Sequence, residues 1–112
     1  GRIDEAVTAA ERARLLNPFS LAALDALASA ADAAGDRDAA VAWYEEATRL
    51  QPENPDVWYA LGLYHAIATE DQCAAYQALN RSYTLDPNGT RWVEGGLLDV
   101  ARDAVNAGAC ER

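Results

Sequence analysis

The sequence predicts an all-α fold, a solenoid of about six helices in antiparallel pairs, closed by a C-terminal capping helix. Three observations predict it. Pro18, Pro52 and Pro87 recur 34 and 35 residues apart, each ending a similar segment: Leu16-Asn17-Pro18, Leu50-Gln51-Pro52 and Leu85-Asp86-Pro87. A period of about 20 to 50 residues marks stacked supersecondary units, and a proline that cannot continue a helix marks where each unit closes. Between the prolines the apolar residues fall at i, i+3, i+4 and i+7, the spacing of one helix face. Finally, 112 residues at 51% hydrophobic and 24% charged suffice for one small folded domain, read here as a single domain over 1–112.

The elements follow in order. Ile3, Ala6, Val7, Ala10 and Ala13 line one helix over 3–17, the second helix of a unit whose first half is missing, so the chain is expected to open mid-repeat. The unit over 20–52 starts at Ser20, a good N-cap, with Phe19 placed to staple onto Leu24. Its two apolar faces are Leu24/Leu27/Ala28/Ala31 and Ala40/Trp43/Tyr44/Ala47. Gly35-Asp36 divides them, the glycine taking a left-handed turn and the aspartate capping the second helix. The unit over 54–87 opens with Asn54 as N-cap and Pro55 at the first helical position, then turns Val57, Trp58, Leu61 and Tyr64 inward. Thr69-Glu70-Asp71-Gln72 has capping-box spacing for a second helix carrying Ala75, Leu79 and Ser82. Gly95-Gly96 disfavours helix, placing Asn88 to Gly96 in a loop. Leu97, Ala101, Ala104 and Val105 then form the capping helix over 97–108. The expected core includes Leu24, Leu27, Trp43, Tyr44, Ala47, Trp58, Leu61, Leu79 and Leu85.

Charge narrows the function. Eighteen acidic residues against nine arginines and no lysine give a net charge of -9, which repels a phosphate backbone and excludes nucleic acid as a partner. No apolar run reaches the roughly 20 residues that span a bilayer, so this sequence carries no membrane insertion of its own. The opening Gly1-Arg2-Ile3 has neither a start methionine nor a signal peptide and reads as a piece of a longer protein.

The 34-residue, two-helix unit resembles the tetratricopeptide repeat (TPR). Trp58, Leu61-Gly62, Ala75, Leu79, Ser82 and Pro87 carry the likeness in one unit, with one inserted residue near Thr69–Cys73; Leu24, Leu27-Ala28, Ala31, Gly35, Ala40, Tyr44, Ala47 and Pro52 carry it in the other. The departures exchange one packing residue for another: His65 where tyrosine is usual, Leu24 for tryptophan and Ala28 for glycine. A narrower resemblance lies in Leu16–Ser20, Trp58–Leu63, Asn80–Pro87 and the tail from Gly95-Gly96 to Cys110. These look like the soluble C-terminal TPR tail of bacterial O-antigen ligase or polymerase-type membrane proteins, which assemble surface polysaccharide. That resemblance implies an accessory domain without a transferase site.

No residues assemble an active site on paper. His65, the sole histidine, lies on the inward stripe of its helix and replaces a packing aromatic, so it reads as a core or internally bonded residue. Zinc asks for about four ligands, and His65, Cys73 and Cys110 have no ligand spacing. Glu45-Glu46 and Glu70-Asp71 suit an exposed face and a helix start. The expectation is no enzyme, no cofactor and no metal.

The TPR resemblance implies a protein-binding concave wall made by the first helix of each pair. Helical phase puts Ala22, Asp25, Ser29 and Asp32 on it from one unit and Asp56, Tyr59, Leu63 and Ile67 from the next, as contacts for a protein or peptide segment, possibly of its own assembly. The same residues could instead pack on a neighbouring helix. TPR domains that clamp acidic peptide tails use lysine and arginine, and aspartate stands at these places, which disfavours such tails.

Cys73 and Cys110 close the account. Two cysteines in a short domain are commonly free thiols in a cytoplasmic protein. Here Cys73 starts the second helix of its unit, at a corner that the end of the next first-type helix should also reach, and Cys110 follows that last helix closely. A disulfide is expected, closing a loop of about 38 residues worth at most about 4 kcal/mol. With it goes an extracytoplasmic location, tethered to the membrane through the rest of the chain; free thiols would leave a cytoplasmic one.

Overall fold

The structure, a computed structural model, describes residues 2–17 and 20–111. Within them lie six α-helices and one π-helical turn, and no strand: α1 (Arg2–Leu16), α2 (Leu21–Ala33), α3 (Arg37–Leu50), α4 (Pro55–Tyr64), the π turn His65–Thr69, α5 (Gln72–Leu85) and α6 (Leu97–Asn106). The chain divides into two compact units, Gly1–Leu50 and Gln51–Arg112.

In the first unit α2 is the central helix, packed on both α1 and α3. The Ser20 hydroxyl accepts the Ala23 N–H at 3.2 Å and caps its start as the sequence predicts. The expected Phe19 staple lies outside the described residues. Ala23, Leu24, Leu27, Ala28 and Ala30 are buried, so α2 presents two leucines among small residues that let its neighbours approach. Gly35 ends the helix at φ +79°, a conformation that costs other residues a steric penalty, and Asp36 Oδ1 accepts the Ala39 N–H at 3.0 Å to start α3. From α3 come buried Ala40, Ala47 and Thr48, whose hydroxyl donates to the Glu45 carbonyl at 2.7 Å. Trp43 and Tyr44, expected in the core, are half-buried. The Arg14 guanidinium covers the Trp43 ring at 5.1 Å and lies 3.5 Å from Glu46. The stripe expected on α1 is corrected: Ala10 is buried and Val7 half-buried, but Ile3, Ala6 and Ala13 are exposed. Within its unit α1 packs mainly against α2 and reaches α3 through Arg14, and this cover leaves much of the stripe open.

In the second unit Asn54 Oδ1 accepts the Asp56 N–H at 2.9 Å and Pro55 opens α4, as expected. Val57, Leu61, Gly62 and Tyr64 are buried. At Gly62 the two helices nearly touch: a Cβ there would lie 2.6 Å from Leu79 Cγ and 3.0 Å from the Leu79 backbone nitrogen. One turn further along α5, the fully buried Ser82 donates its hydroxyl to the Pro55 carbonyl at 2.7 Å, which satisfies a polar group that burial would otherwise penalise. Trp58 is a correction. It is half-buried, with its indole N–H donating to the Pro52 carbonyl at 2.8 Å, so the ring lies along the start of its own helix. Leu85 is also half-buried, whereas Leu61 and Leu79 occupy the core as predicted.

The inserted residue has a structural form. After Tyr64 the helix widens into the π turn His65–Thr69, which ends at Glu70 in the left-handed region, φ +57°. A π turn holds one extra residue without breaking the run of backbone hydrogen bonds. It also corrects the capping box: the cap of α5 is Asp71, whose carboxylate accepts the Ala74 N–H at 3.0 Å, and Thr69 belongs to the turn before it.

Residues 86–96 form turns, as the glycine pair suggests. α6 then adds Leu98 and Ala101 to Ala75 and Leu79 of α5, the buried cluster of this unit. Its last residue is Asn106, two before the predicted limit. Cys73 and Cys110 are joined as a disulfide with their Cα atoms 5.1 Å apart.

Leu79→Ala is expected to cost about 2 to 5 kcal/mol in urea denaturation, more than Trp58→Ala, because only the leucine leaves a fully enclosed cavity. Gly62→Ala gains about 1 kcal/mol of helix propensity but crowds Leu79 and its backbone, for a net loss of about 1 to 2 kcal/mol. A Gly62→Ala protein as stable as wild type would refute the close approach. Natively purified protein should take up alkylating label only after reduction, and Cys73→Ser/Cys110→Ser should lose about 2 to 4 kcal/mol.

Candidate functional site

The second unit contains an open pocket of about 430 Å³, between the turns that follow Pro87 and the start of α6. Trp92 forms its wall. The tryptophan is held by an indole N–H bond to the Asp86 carbonyl at 2.7 Å, and its ring meets Tyr59 and Tyr83 edge-on, with centroids 5.8 and 5.6 Å apart. A large aromatic in a glycine-bearing turn region needs apolar cover, and the two tyrosines on α4 and α5 supply it. Arg91 lies across the Tyr59 ring at 4.7 Å and donates to Asp56 Oδ1 at 2.6 Å, tying the turns to the first turn of α4. On the other side Asp99 Oδ2 accepts the Gly95 N–H at 2.8 Å, while Oδ1 accepts from Arg102 at 3.1 Å. The pocket thus offers an aromatic wall beside two guanidinium groups and the carboxylates of Glu94 and Asp99.

The residues expected on a binding face fall in both units. In the first, Ala22, Asp25, Ser29 and Asp32 are all exposed on α2. The Tyr44 phenol is held above its ordinary value of 10.0, chiefly by burial and then by the negative charges of Asp25 and Asp32. In the second unit Asp56 is exposed and Tyr59 half-buried, and Arg91 brings the two together. Leu63 is half-buried and Ile67, in the π turn, is 64% exposed; neither lines the pocket. Sequence reasoning missed Tyr83, Arg91, Trp92, Asp99 and Arg102. The available signal was Arg91-Trp92 itself, a cation and a large aromatic within a polar stretch.

His65 is half-buried, with Nδ1 2.8 Å from Thr69 Oγ1, so its ring is bonded inside its own turn. Among the described residues no group of three or more His, Cys, Asp or Glu is placed to hold a metal ion, and no helix is long and apolar enough to cross a membrane.

Two family profiles match the chain, one for the tetratricopeptide repeat over residues 1–49 and one for the TPR repeat over residues 33–67. Residues 1–67 thus match tetratricopeptide-repeat profiles, in keeping with the helix pairs described above. TPR units generally mediate protein–protein interaction and typically serve as scaffolds without catalysis. Comparison with curated proteins finds no match. The two profile matches end before the aromatic pocket is complete, since Tyr83, Arg91 and Trp92 all lie beyond residue 67.

The raised Tyr44 pKa has a definite sign. Folding favours the neutral phenol, so its contribution to stability is complete below the unfolded value of about 10 and is lost as pH rises through the folded value. Asp25→Asn/Asp32→Asn should bring ionisation of Tyr44 down toward the ordinary value without reaching it, because burial, the larger cause, remains. Phenolate absorbance titration with Tyr44→Phe as the reference measures this, and an unmoved titration would dissociate the two aspartates from Tyr44.

Proposed function

We propose that this protein is a non-catalytic TPR scaffold that holds a protein or peptide segment against the exposed side of its first-type helices. The observation that carries the reading is the series Tyr59, Leu63 and Ile67 on α4 and the turn that prolongs it: two are half-buried, one is open to solvent, and all fall at four-residue spacing. Tyr59 is already partly covered by Arg91 and Trp92, whereas the exposed Ile67 and the half-buried Leu63 beside it cost hydration unless something covers them, which suits a helix or extended segment laid along this side of α4.

A second reading draws on the disulfide. A bond between Cys73 and Cys110 survives in oxidising compartments, which suits an extracytoplasmic accessory domain of an O-antigen ligase or polymerase-type membrane protein. In that setting the partner is another part of the same surface-polysaccharide assembly. The residues encoded ahead of Gly1 distinguish the readings: many hydrophobic spans favour the membrane enzyme, and further TPR units count against it.

Affinity capture with the immobilised protein tests the interaction role. Wild type should retain a partner that a Tyr59→Ala/Leu63→Ala variant of unchanged helicity loses by about tenfold or more, as expected when hot-spot side chains are truncated. Equal retention by both proteins would remove this row from the binding surface.

A further inference from the structure

We propose that Asn88-Gly89 is a self-modifying site, where the turn that holds Trp92 converts with water to isoaspartate and aspartate and so releases the aromatic wall of the pocket, a chemistry independent of the interaction role above. Of the five asparagines in the chain, the one at 88 is followed by glycine. The reaction asks two things of its surroundings: a side-chain amide free to turn, and a following backbone nitrogen that nothing shields. Glycine has no Cβ, so its nitrogen is the most open to approach.

The structure separates Asn88 from the other four. Asn17 and Asn54 precede prolines, which carry no N–H. Asn80 lies inside α5, where the next N–H belongs to the helical ladder, and after Asn106 the Ala107 N–H donates to the Asp103 carbonyl at 3.0 Å. Asn88 is exposed in the turns after α5, and its side chain has no hydrogen-bond partner among the described residues. The Gly89 N–H donates to the Asp86 carbonyl at 3.3 Å, a long bond to an oxygen that the Trp92 indole N–H reaches at 2.7 Å. Asp86 also accounts for the glycine, since a Cβ at 89 would lie 2.8 Å from Asp86 Oδ2.

The Gly89 nitrogen gives up its proton and attacks Asn88 Cγ. A new C–N bond forms as the Cγ–Nδ2 bond breaks, and Nδ2 leaves as ammonia with that proton. Water then opens the five-membered imide at one of its two carbonyls. Opening at the Asn88 main-chain carbonyl leaves isoaspartate, whose main chain now runs through Cβ and Cγ; opening at Cγ leaves aspartate. Nothing is oxidised or reduced, and solvent water is the sole co-reactant.

The consequence lies in what this turn holds. The Asp86 carbonyl accepts the Trp92 indole N–H, and the Gly89 carbonyl accepts the Trp92 backbone N–H at 3.4 Å, so residues 86–89 grip the tryptophan twice. The imide takes the Gly89 N–H out of the turn, and the extra main-chain atom of isoaspartate shifts Gly89 away from Asp86. The two carbonyls then no longer hold Trp92 together, and its edge-on contacts with Tyr59 and Tyr83 loosen.

Ageing the intact chain in mildly alkaline buffer tests this, with Asn88→Gln and a synthetic peptide of residues 84–92 treated alongside. Peptide mass spectrometry follows the amide-to-acid mass gain at each asparagine, and labelling by a carboxyl methyltransferase specific for isoaspartate reports the rearranged linkage. Asn88 should convert at least about tenfold faster than any other asparagine and within about tenfold of the peptide, at a rate that rises about tenfold per pH unit because the deprotonated Gly89 nitrogen attacks. In aged wild type the Trp92 indole N–H, followed by NMR, should exchange with solvent at least about tenfold faster than in fresh protein, while aged Asn88→Gln keeps the fresh rate. Conversion slower than this range, or no faster than at the other asparagines, would overturn the site. Complete conversion with unchanged Trp92 exchange would overturn the release of the wall. Fresh and aged wild type decide both points even if the variant fails to fold.

Discussion

The approach of α4 to α5 at Gly62 is the constraint on which the second unit is built. Leu79 is fully buried directly beneath that glycine, at a separation where a single methyl group would collide with both its side chain and its backbone. Because the helices are this close, Ser82 reaches the Pro55 carbonyl, and Leu79 still has a face left for Leu98 and Ala101 of α6. The same packing places Tyr59 and Tyr83 where Trp92 can lie edge-on to both. The pocket is therefore a consequence of helix spacing.

The longer repeat shows how a helix pair accommodates an extra residue. A plain insertion would rotate everything after it by about 100° and carry the apolar face away from its neighbour. The π turn at His65–Thr69 absorbs the residue locally, with His65 bonded to Thr69 and Glu70 taking the left-handed conformation that ends the turn. Asp71 then starts α5 on a fresh cap, and Ala75, Leu79 and Ser82 return to the buried side. The cost is one non-glycine residue at positive φ, and the side effect is Ile67 turned out to solvent.

The disulfide acts on the other end of the same unit. It ties the start of α5 to the segment after α6, a helix of ten residues that contributes two buried side chains. So short a helix holds its place weakly by burial alone, and a covalent link at its far end limits how far it can separate. Since Leu97, Asp99 and Arg102 of α6 line the pocket, the bond also helps to keep that lining together.

The sequence by itself determined the helix count, the period and most of the punctuation. Proline spacing, the Ser20, Asn54 and Asp36 caps, and the Gly35 turn act within a few residues of where they stand, so their meaning is local and legible. The Cys73–Cys110 pairing was also accessible, because it follows from the alternating direction of paired helices. Only the tertiary structure decided which apolar faces are covered and where the pocket lies. The α1 stripe reads like any other amphipathic face, yet Ile3 and Ala13 are exposed, since burial depends on a neighbour and periodicity says nothing of how many neighbours a helix has. Tyr59, Tyr83, Arg91 and Arg102 are spread over more than forty residues and become one site only because two helix crossings and a held tryptophan bring them together. No spacing rule records such a meeting, which depends on the angles and separations of packed helices.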